Sequence, residues 1–419
     1  MTTHPTDTAP LPETGPVKRR RAERTVVFLS YFRHQARLFG LIARALPPEI
    51  ASRQLNVYAL TTWAILDQVL GRDGLPPEVA DRITHFECLK RACRRPGADV
   101  GEHRKRLAPE AGKWYHLLRR RLAGADLLVV WSGFRVPLRA AACAAESLGI
   151  RTLYCENGVL PGTLMMDPKG VNYAGSIVGK GPDFFLQAAI DPEREQALFD
   201  TGLQQRPLRR ALRGGGGETD DGRPLPERYV LFPMQVHDDS QVLVFSPRFR
   251  TMEDTVRYVA AQVAVHNAGT GDSLALVVKE HPSDLGRADY RPLRRSLPGA
   301  YFMRRTPVGD LIRSARAVVT LNSSVGVEAL LLMRPVITLG EALYNGPGVV
   351  SHIGDGDLAE ALGAVIDQPV NRELVTRFLC FLRYEYLVPV SWRTANETTI
   401  QPAAQRIVDV LHDRLAWAQ

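Results

Sequence analysis

The chain has 419 residues, which is too long for one ordinary hydrophobic core, so we expect two domains of similar size. A hydrophobic content of 45% beside 23% charged residues is typical of a globular protein and excludes a wholly disordered chain. The formal charge of +8 favours an anionic partner such as phospholipid, nucleotide or acidic glycan. Solvated helix faces give the same excess, so charge alone selects none of these partners.

Cysteine usage and hydropathy indicate a compartment. Five cysteines without a CxxC pair are typical of reduced, inert thiols, which predicts a cytoplasmic protein. Residues 1–22, rich in Thr and Pro, predict a disordered tail. No run approaches the roughly 20 apolar residues of a membrane-spanning helix, so membrane contact is expected to be peripheral.

Short apolar runs alternate with helical patterns along the chain, as in a parallel sheet buried on both faces. We predict an N-terminal Rossmann-like domain over residues 23–186 and a linker over 187–226, where Gly214 to Gly217 interrupt the pattern. A second Rossmann-like domain follows over 227–370, and residues 371–419 predict helices that can cross back to the N-terminal domain. The predicted strands are 25–31, 55–60, 127–131, 151–155, 229–232, 274–279, 301–304, 317–321 and 335–339.

Three carboxylates follow predicted strands, where doubly wound sheets bind ligands. Glu156, in Glu156-Asn-Gly158, can act as a general acid or base at a cleft; the alternative is that it caps a turn. Asp238 and Asp239 are adjacent, so one can face the cleft while the other caps a turn or helix. We select Asp239 for the cleft.

Two further clusters suit a phosphate. His281, in Lys279-Glu-His-Pro282, can hydrogen-bond a phosphate oxygen. Ser323 and Ser324, in Asn322-Ser-Ser-Val-Gly-Val-Glu328, precede a predicted helix whose backbone N–H groups can cradle a phosphate. An ordinary serine cap with Glu328 in the first turn is the alternative.

Several familiar sites are absent from the sequence. It contains no Walker A motif, no G-x-G-x-x-G after a strand, no G-x-S-x-G and no H-E-x-x-H. Asp355-Gly-Asp357 resembles a metal-binding DxD, but we assign it to the cap of a helix that begins at Leu358. No metal is predicted.

Taken in order, four motifs resemble the capsule polysaccharide biosynthesis family, which includes the retaining β-Kdo transferases of capsule and O-antigen (lipopolysaccharide) assembly. The motifs are Glu156-Asn-Gly with Gly170-Val-Asn172, Gln235-x-x-x-Asp239-Ser-Gln241, Lys279-x-His-Pro282, and Asn322-Ser-Ser324 through Glu328-Ala-Leu330. The resemblance covers roughly residues 154–344 and is weak before them.

The resemblance implies a GT-B-like fold, with two Rossmann-like domains whose parallel sheets face a cleft, and CMP-β-Kdo as the donor. It implies that His281, Ser323 and Ser324 hold the CMP phosphate and that Lys279 assists by charge, with Gln235, Asn322 and Glu328 completing the donor site. No cofactor or metal is implied, because a departing monophosphate develops less charge than a diphosphate.

Retention implies two displacements. We assign Asp239 as the nucleophile and Glu156 as the second carboxylate, serving as acid/base or as orienter, with Asp238 as the competing nucleophile. The expected acceptor is a bacterial surface glycan or glycolipid, which allows peripheral contact with the inner membrane.

Alternatives remain open. The donor can be another CMP-activated sugar such as a sialic acid, or the chain can be a non-catalytic component of capsule assembly or export. The basic stretch 104–121, with Trp114 and Tyr115, can lie on anionic lipid, bind an acidic glycan or form a plain solvated helix. No nucleic-acid partner is expected, because no recognition motif accompanies the charge.

Overall fold

Eleven strands form two separate sheets in the described part of this computed structural model. The structure describes residues 23–66, 74–95, 97–188, 190–204 and 222–419, so the predicted tail at 1–22 lies outside the described residues. The strands are β1 (Arg24–Ser30), β2 (Ile50–Asn56), β3 (Leu127–Trp131), β4 (Arg151–Asn157), β5 (Leu164–Asp167), β6 (Tyr229–Pro233), β7 (Ala275–Lys279), β8 (Tyr301–Met303), β9 (Ala317–Thr320), β10 (Val336–Thr338) and β11 (Ser351–His352).

Helices connect the strands and cover the faces of the sheets. The α-helices among the described residues are α1 (Arg33–Ala45), α2 (Val57–Leu66), α3 (Pro77–Arg94), α4 (Val100–Leu122), α5 (Val136–Ser147), α6 (Pro182–Leu186), α7 (Pro192–Gln204), α8 (Ser240–Leu243), α9 (Met252–Thr270), α10 (Arg291–Ser296), α11 (Val308–Ser314), α12 (Val325–Leu331), α13 (Leu358–Val365), α14 (Arg372–Phe381) and α15 (Gln401–Leu411). A π-helical turn, Leu382–Tyr386, continues α14. The predicted linker, 187–226, contains α7, and its residues 205–221 lie outside the described ranges.

The first sheet has the order β2-β1-β3-β4-β5, with β5 antiparallel to β4 and the other pairs parallel. Every residue of β3 is buried, as its continuous apolar run predicts. The predicted strand at 55–60 is wrong. The strand is β2, whose Ser52, Arg53 and Gln54 are exposed, and the apolar residues after it begin α2, where Asn56 accepts a hydrogen bond from the Tyr58 N–H at 3.0 Å.

The second sheet is parallel throughout and has the order β11-β10-β9-β6-β7-β8. This is the doubly wound Rossmann order, in which the winding reverses between β6 and β9. The crevice beyond the carboxyl ends of these two strands is therefore the expected ligand position. Both sheets confirm the predicted α/β fold class of two Rossmann-like domains.

The C-terminal segment packs on the first sheet. Val388, Ile400 and Ile407 share one apolar cluster with β1, β3 and α1. Leu164 of β5 and Val388 exchange backbone hydrogen bonds of 2.9 and 2.8 Å. The guanidinium of Arg406, 8% exposed, donates to the carbonyls of Met166 and Tyr386. Apolar residues between Val388 and Leu411 therefore belong to the core of the N-terminal domain, whereas Trp417 packs in the cluster that contains β6 and β9.

The basic stretch 104–121 lies within α4. Trp114 is 5% exposed and packs in the core against α5, so this ring is not available to a lipid surface; Tyr115 is half-buried. The lipid and glycan alternatives for the basic stretch as a whole stay predictions. The five cysteines are free, and four of them are buried. Within the described ranges, no helix is long and apolar enough to cross a membrane.

Candidate active site

A cavity of about 340 Å³ opens between the two sheets and draws its lining from both domains. The N-terminal domain contributes the ends of β1, β3 and β4, and the C-terminal domain contributes the loop that follows β6. Each side of the cavity thus lies beyond carboxyl strand ends. The lining residues are Tyr31, Phe32, His34, Gln35, Phe86, Lys90, Trp131, Ser132, Phe134, Arg135, Leu138, Glu156, Asn157, Val236, Asp238, Asp239, Ser240 and Trp392.

Glu156 is the carboxylate of the N-terminal side. Its Oε1 accepts hydrogen bonds from Trp131 Nε1 at 3.1 Å and from the Asn157 backbone N–H at 2.9 Å. Within the described chain, Oε2 has no hydrogen-bond partner. Gly158 permits the turn after it, because a side chain there would overlap Thr163. Glu156 is thereby held with one oxygen available to a ligand.

The electrostatics of Glu156 favour a protonated carboxyl near neutral pH. Burial raises its pKa, and the nearby Asp239 carboxylate adds to this, against the hydrogen bonds from Asn157 and Trp131, which lower it. The result is a pKa of about 7. A carboxyl with this pKa can donate a proton in one step and accept one in another.

Asp239 is the carboxylate of the C-terminal side. It is exposed in the cavity and is the N-cap of α8, where Oδ1 accepts from the Gln241 N–H at 2.9 Å. Oδ2 has no hydrogen-bond partner among the residues the structure describes. The sequence offered capping and cleft exposure as separate roles for the two aspartates, whereas Asp239 has both.

Asp238 is tied into the contact between the domains. Its side chain is 8% exposed and pairs with Arg94 at 2.8 Å, Arg287 at 3.0 Å and Lys90 at 3.7 Å. Burial alone would raise its pKa, but the hydrogen bond from Arg94, the charge of Lys90 and the hydrogen bond from Arg287 outweigh burial and lower the pKa to about 2. Asp238 lines the cavity but is engaged by three cations, so Asp239 is the less encumbered nucleophile candidate.

Gln235 and Asn322 meet at the point where the strand order of the second sheet reverses. Gln235 Nε2 donates to Asn322 Oδ1 at 2.8 Å, and Asn322 Nδ2 donates to the carbonyls of Gln241 and Phe245 at 2.9 and 3.0 Å. The two side chains are 7% and 2% exposed. Their described bonds are internal and join the loops after β6 and β9, while their predicted donor contacts stay predictions.

Ser323 and Ser324 are half-buried at the start of α12, with Glu328 in its first turn. Ser323 Oγ accepts from the Val325 N–H at 3.2 Å. A side chain at Gly326 would overlap the Tyr344 ring, whose hydroxyl donates to the Ser323 carbonyl. The room that Gly326 leaves is therefore filled by the Tyr344 ring, and the predicted phosphate contacts of Ser323 and Ser324 stay predictions.

His281 and Lys279 lie at the end of β7. His281 Nδ1 accepts from the Ser283 N–H at 3.1 Å. Lys279, 7% exposed, donates to the carbonyls of Glu280 and Arg304 at 3.1 and 2.9 Å. His281, Ser323 and Ser324 do not line the cavity described above; they follow β7 and β9, the two neighbours of β6 in the sheet.

Several residues of this site escaped the sequence analysis. Trp131 was predicted only as a strand residue, although a tryptophan that ends a buried strand can place its N–H at a cleft. Ser132 follows it with a φ of 50°, a backbone strain that no pattern in the sequence reveals. Asp284, 2% exposed, accepts from the His237 backbone N–H at 3.0 Å and from the Tyr290 hydroxyl at 3.0 Å, so it joins the loops after β6 and β7.

No group of three or more His, Cys, Asp and Glu side chains suited to a metal occurs among the residues that the structure describes. Asp357 caps α13, accepting from the Ala359 and Glu360 N–H groups at 2.7 and 3.2 Å. The prediction that the DxD-like triplet caps this helix is confirmed.

The fold and the cleft define a two-domain α/β protein of the GT-B type. Residues 218–360 match the family model described as "Capsule polysaccharide biosynthesis protein". This range contains β6 to β11 and three of the four motifs, so the predicted family resemblance is confirmed for the C-terminal domain.

Two curated relatives extend this match. The chain is 32% identical over 287 residues to Protein FixF of Sinorhizobium fredii, a match that covers 68% of this chain and 64% of FixF. It is 33% identical over 132 residues to the capsule polysaccharide export protein KpsS of Escherichia coli, which covers 30% of this chain and 33% of KpsS. The chain thus spans less than two thirds of either relative.

Solved structures of similar fold include the KpsC β-Kdo 2,7 transferase of Thermosulfurimonas dismutans. That match has a TM-score of 0.46 and 18% identity, and it covers 93% of this chain and 99% of the other. A UDP-GlcNAc 2-epimerase of Methanocaldococcus jannaschii matches with a TM-score of 0.34 and 15% identity, covering 93% and 99% of the two chains.

Proposed function

We propose that this protein is a retaining glycosyltransferase that moves Kdo from CMP-β-Kdo to a bacterial surface glycan or glycolipid, forming a β linkage. The observation that carries the proposal is the pair of carboxylates, Glu156 and Asp239, which the two domains bring to one cavity. The capsule polysaccharide family match supports the substrate class. The motifs that resemble the β-Kdo transferases support the sugar.

In the first displacement, Asp239 Oδ2 attacks the anomeric carbon, and the bond from that carbon to the CMP phosphate oxygen breaks with its electron pair leaving on CMP. Protonated Glu156 gives its proton to the departing phosphate. The products of this step are CMP and a glycosyl ester of Asp239.

In the second displacement, the acceptor hydroxyl attacks the same carbon and Asp239 leaves as a carboxylate. Glu156, now ionised, takes the hydroxyl proton. Esterification removes the negative charge of Asp239, which had helped to raise the pKa of Glu156, so Glu156 is a carboxylate at the stage that requires a base. Two inversions at one carbon give net retention.

Other residues of the C-terminal domain would hold the donor. We assign the CMP phosphate to His281, Ser323 and Ser324, whose loops flank the one that carries Asp239, with Lys279 and Glu328 beside them. Gln235 and Asn322 would act as positioning residues, since their mutual hydrogen bond joins two of these loops. The reaction as proposed uses no cofactor and no metal.

The test is mass spectrometry of the intact protein after incubation with CTP and Kdo under a CMP-Kdo synthetase, which forms CMP-Kdo in situ and releases pyrophosphate. We expect CMP release and an adduct of Kdo mass on the wild type. Asp239→Ala should lose both, while Asp310→Asn, a remote exposed carboxylate, should keep them. No CMP turnover and no adduct, with acceptor glycans also supplied, would refute the proposal.

A different CMP-activated sugar, such as a sialic acid, is separated from Kdo by the same assay with that sugar and its synthetase. A second candidate function is favoured by the name of KpsS, an export protein: a non-catalytic component of capsule assembly or export. It predicts that Asp239→Ala leaves capsule production intact in cells. In either case we place the protein in the cytoplasm, with peripheral contact to the inner membrane when the acceptor is a glycolipid.

A further inference from the structure

A second cavity, of about 360 Å³, lies beside the first and is built mainly by helices of the N-terminal domain. α3, α4 and α5 supply most of its wall, and Val244, just after α8, closes it from the C-terminal domain. No residue of this cavity has a role in the transfer chemistry proposed above. Its lining is Asp81, Arg82, His85, Phe86, Arg104, Phe134, Arg139 and Val244.

The cavity has more positive charge than its own carboxylates neutralise. Arg82 pairs with Glu146 at 2.7 Å, and Arg104 pairs with Asp81 at 3.2 Å. The third guanidinium, Arg139, is half-buried and makes neither an ion pair nor a side-chain hydrogen bond with any residue the structure describes. A half-buried guanidinium with five donors is suited to a carboxylate or a phosphate.

Two further observations indicate a site for an anion. The Nε of Arg104 is buried and has no hydrogen-bond partner in the described protein, although buried donors are normally satisfied. Burial, followed by the charges of Arg104, Arg250 and Arg139, lowers the pKa of His85. These groups share a positive local potential that an anionic ligand would relieve.

The second cavity adjoins the candidate active site. Phe86 and Phe134 line both cavities, with ring centroids 5.8 Å apart, and Phe134 packs against Phe245 at 5.8 Å. The two rings therefore lie at the boundary of the cavities, and a ligand that reached from one cavity to Glu156 and Asp239 in the other would contact them. Phenylalanine faces also suit the apolar face of a sugar ring.

We propose that the second cavity is an acceptor subsite, in which Arg139 and Arg104 bind an anionic group, a carboxylate or a phosphate, carried by the acceptor glycan. That the ligand is the acceptor rests on the proposed function; that the cavity binds an anion does not. The subsite would select acidic or phosphorylated acceptors and position them for transfer.

The test is calorimetric titration of the full chain with three probes: a galacturonate trisaccharide, a neutral galactose trisaccharide and inorganic phosphate. The variants are Arg139→Gln, Arg139→Lys and, as a matched control, Arg119→Gln. Arg119 is an exposed arginine that follows Arg104 in α4 and does not line the cavity. Melting curves verify that each variant is folded. Titration with CMP on the same samples reports the donor site independently.

The wild type and Arg119→Gln should bind an anionic probe more tightly than the neutral one. Arg139→Gln should weaken that binding by about tenfold or more, the usual effect of losing a charge-assisted hydrogen bond, and Arg139→Lys should restore part of it. A preference for galacturonate assigns the anionic group as a carboxylate, and binding of phosphate alone assigns it as a phosphate. The subsite would be overturned if the wild type did not prefer an anionic probe to the neutral one, or if Arg139→Gln kept the same preference. Failure of the wild type to bind CMP would count against the proposed donor only.

Discussion

Replacing Glu156 with Gln should stabilise the protein at alkaline pH and leave its stability nearly unchanged in acid. The pKa of Glu156 rises from an ordinary 4.5 to about 7 in the folded protein. At about 1.4 kcal/mol for each pH unit, this corresponds to at most about 3.5 kcal/mol of unfavourable free energy for the ionised carboxylate. Because the side chain is partly exposed, solvent screening reduces the expected value to about 2 kcal/mol.

The direction of this pH dependence follows from the state, folded or unfolded, in which Glu156 binds its proton more tightly. The folded protein holds the Glu156 proton more tightly than the unfolded chain does, so the penalty is absent below about pH 4.5 and complete above about pH 7. Wild-type protein therefore loses stability relative to Glu156→Gln as the pH rises between these values. The glutamine keeps an oxygen for the Trp131 and Asn157 donors, so no compensating loss is expected.

The assay is urea denaturation of both proteins at pH 5 and pH 8.5. Glu373→Gln is the matched control, because Glu373 is 67% exposed and pairs with Arg377 at 3.2 Å; its difference from wild type should not vary with pH. The same Glu156→Gln protein should lose sugar transfer. A difference between Glu156→Gln and wild type that is equal at both pH values would refute the assigned pKa and, with it, the proton role of Glu156.

Three further predictions concern neighbouring groups. Asp239→Asn should abolish CMP release yet change the free energy of unfolding by less than about 0.5 kcal/mol, since Asn caps helices as well as Asp does; turnover assays and melting curves measure this. Asp238→Asn should lower the free energy of unfolding by about 2 kcal/mol in urea denaturation at pH 7, because three cations lose their shared carboxylate. The wild type should lose this contribution only as the pH falls from 3.8 towards 2. Tyr386→Phe should cost about 1–2 kcal/mol in urea denaturation, because buried Asp167 loses a 2.9 Å hydrogen bond.

Two of these predictions have a matched control variant, and all three have an outcome that would contradict them. Asp310→Asn removes an exposed ion pair with Arg313 and should have no measurable effect, in contrast to Asp238→Asn. Tyr384→Phe removes an exposed hydroxyl that bonds the Arg194 carbonyl and should be milder than Tyr386→Phe. Equal effects within either pair would contradict the roles assigned to Asp238 and Tyr386, and CMP release by Asp239→Asn would exclude Asp239 as the nucleophile.

The sequence predicts most of the fold because both sheets are buried on both faces. β3, β6 and β7 are continuous apolar runs, and their predicted bounds agree with the structure within a residue. The bounds of β2 were predicted wrongly because it is an edge strand with exposed polar residues. β5 was not predicted, since Leu164–Asp167 pairs antiparallel to β4 within a stretch that reads as successive turns.

The site was predictable to the extent that its residues follow strands. Glu156 and Asp239 end up in one cavity because both lie beyond carboxyl strand ends. Gln235 shares a motif with Asp239, and Asn322 shares one with Ser323 and Ser324. Both side chains are buried, and their mutual hydrogen bond joins two loops, an arrangement that residue type alone does not reveal. Arg139 and Arg104 came together only through the packing of α4 on α5, which no local pattern encodes.

The return of the C-terminal segment to the first sheet has a mechanical consequence. The chain passes between the two sheets twice, once after β5 and again before Val388 pairs with Leu164. Two neighbouring connections define a hinge axis. They allow the domains to rotate about the line that joins the connections, but they resist a twist of one domain relative to the other. Opening of the cleft would therefore follow one arc, and each closure would return the carboxylates of the two domains to the same facing position.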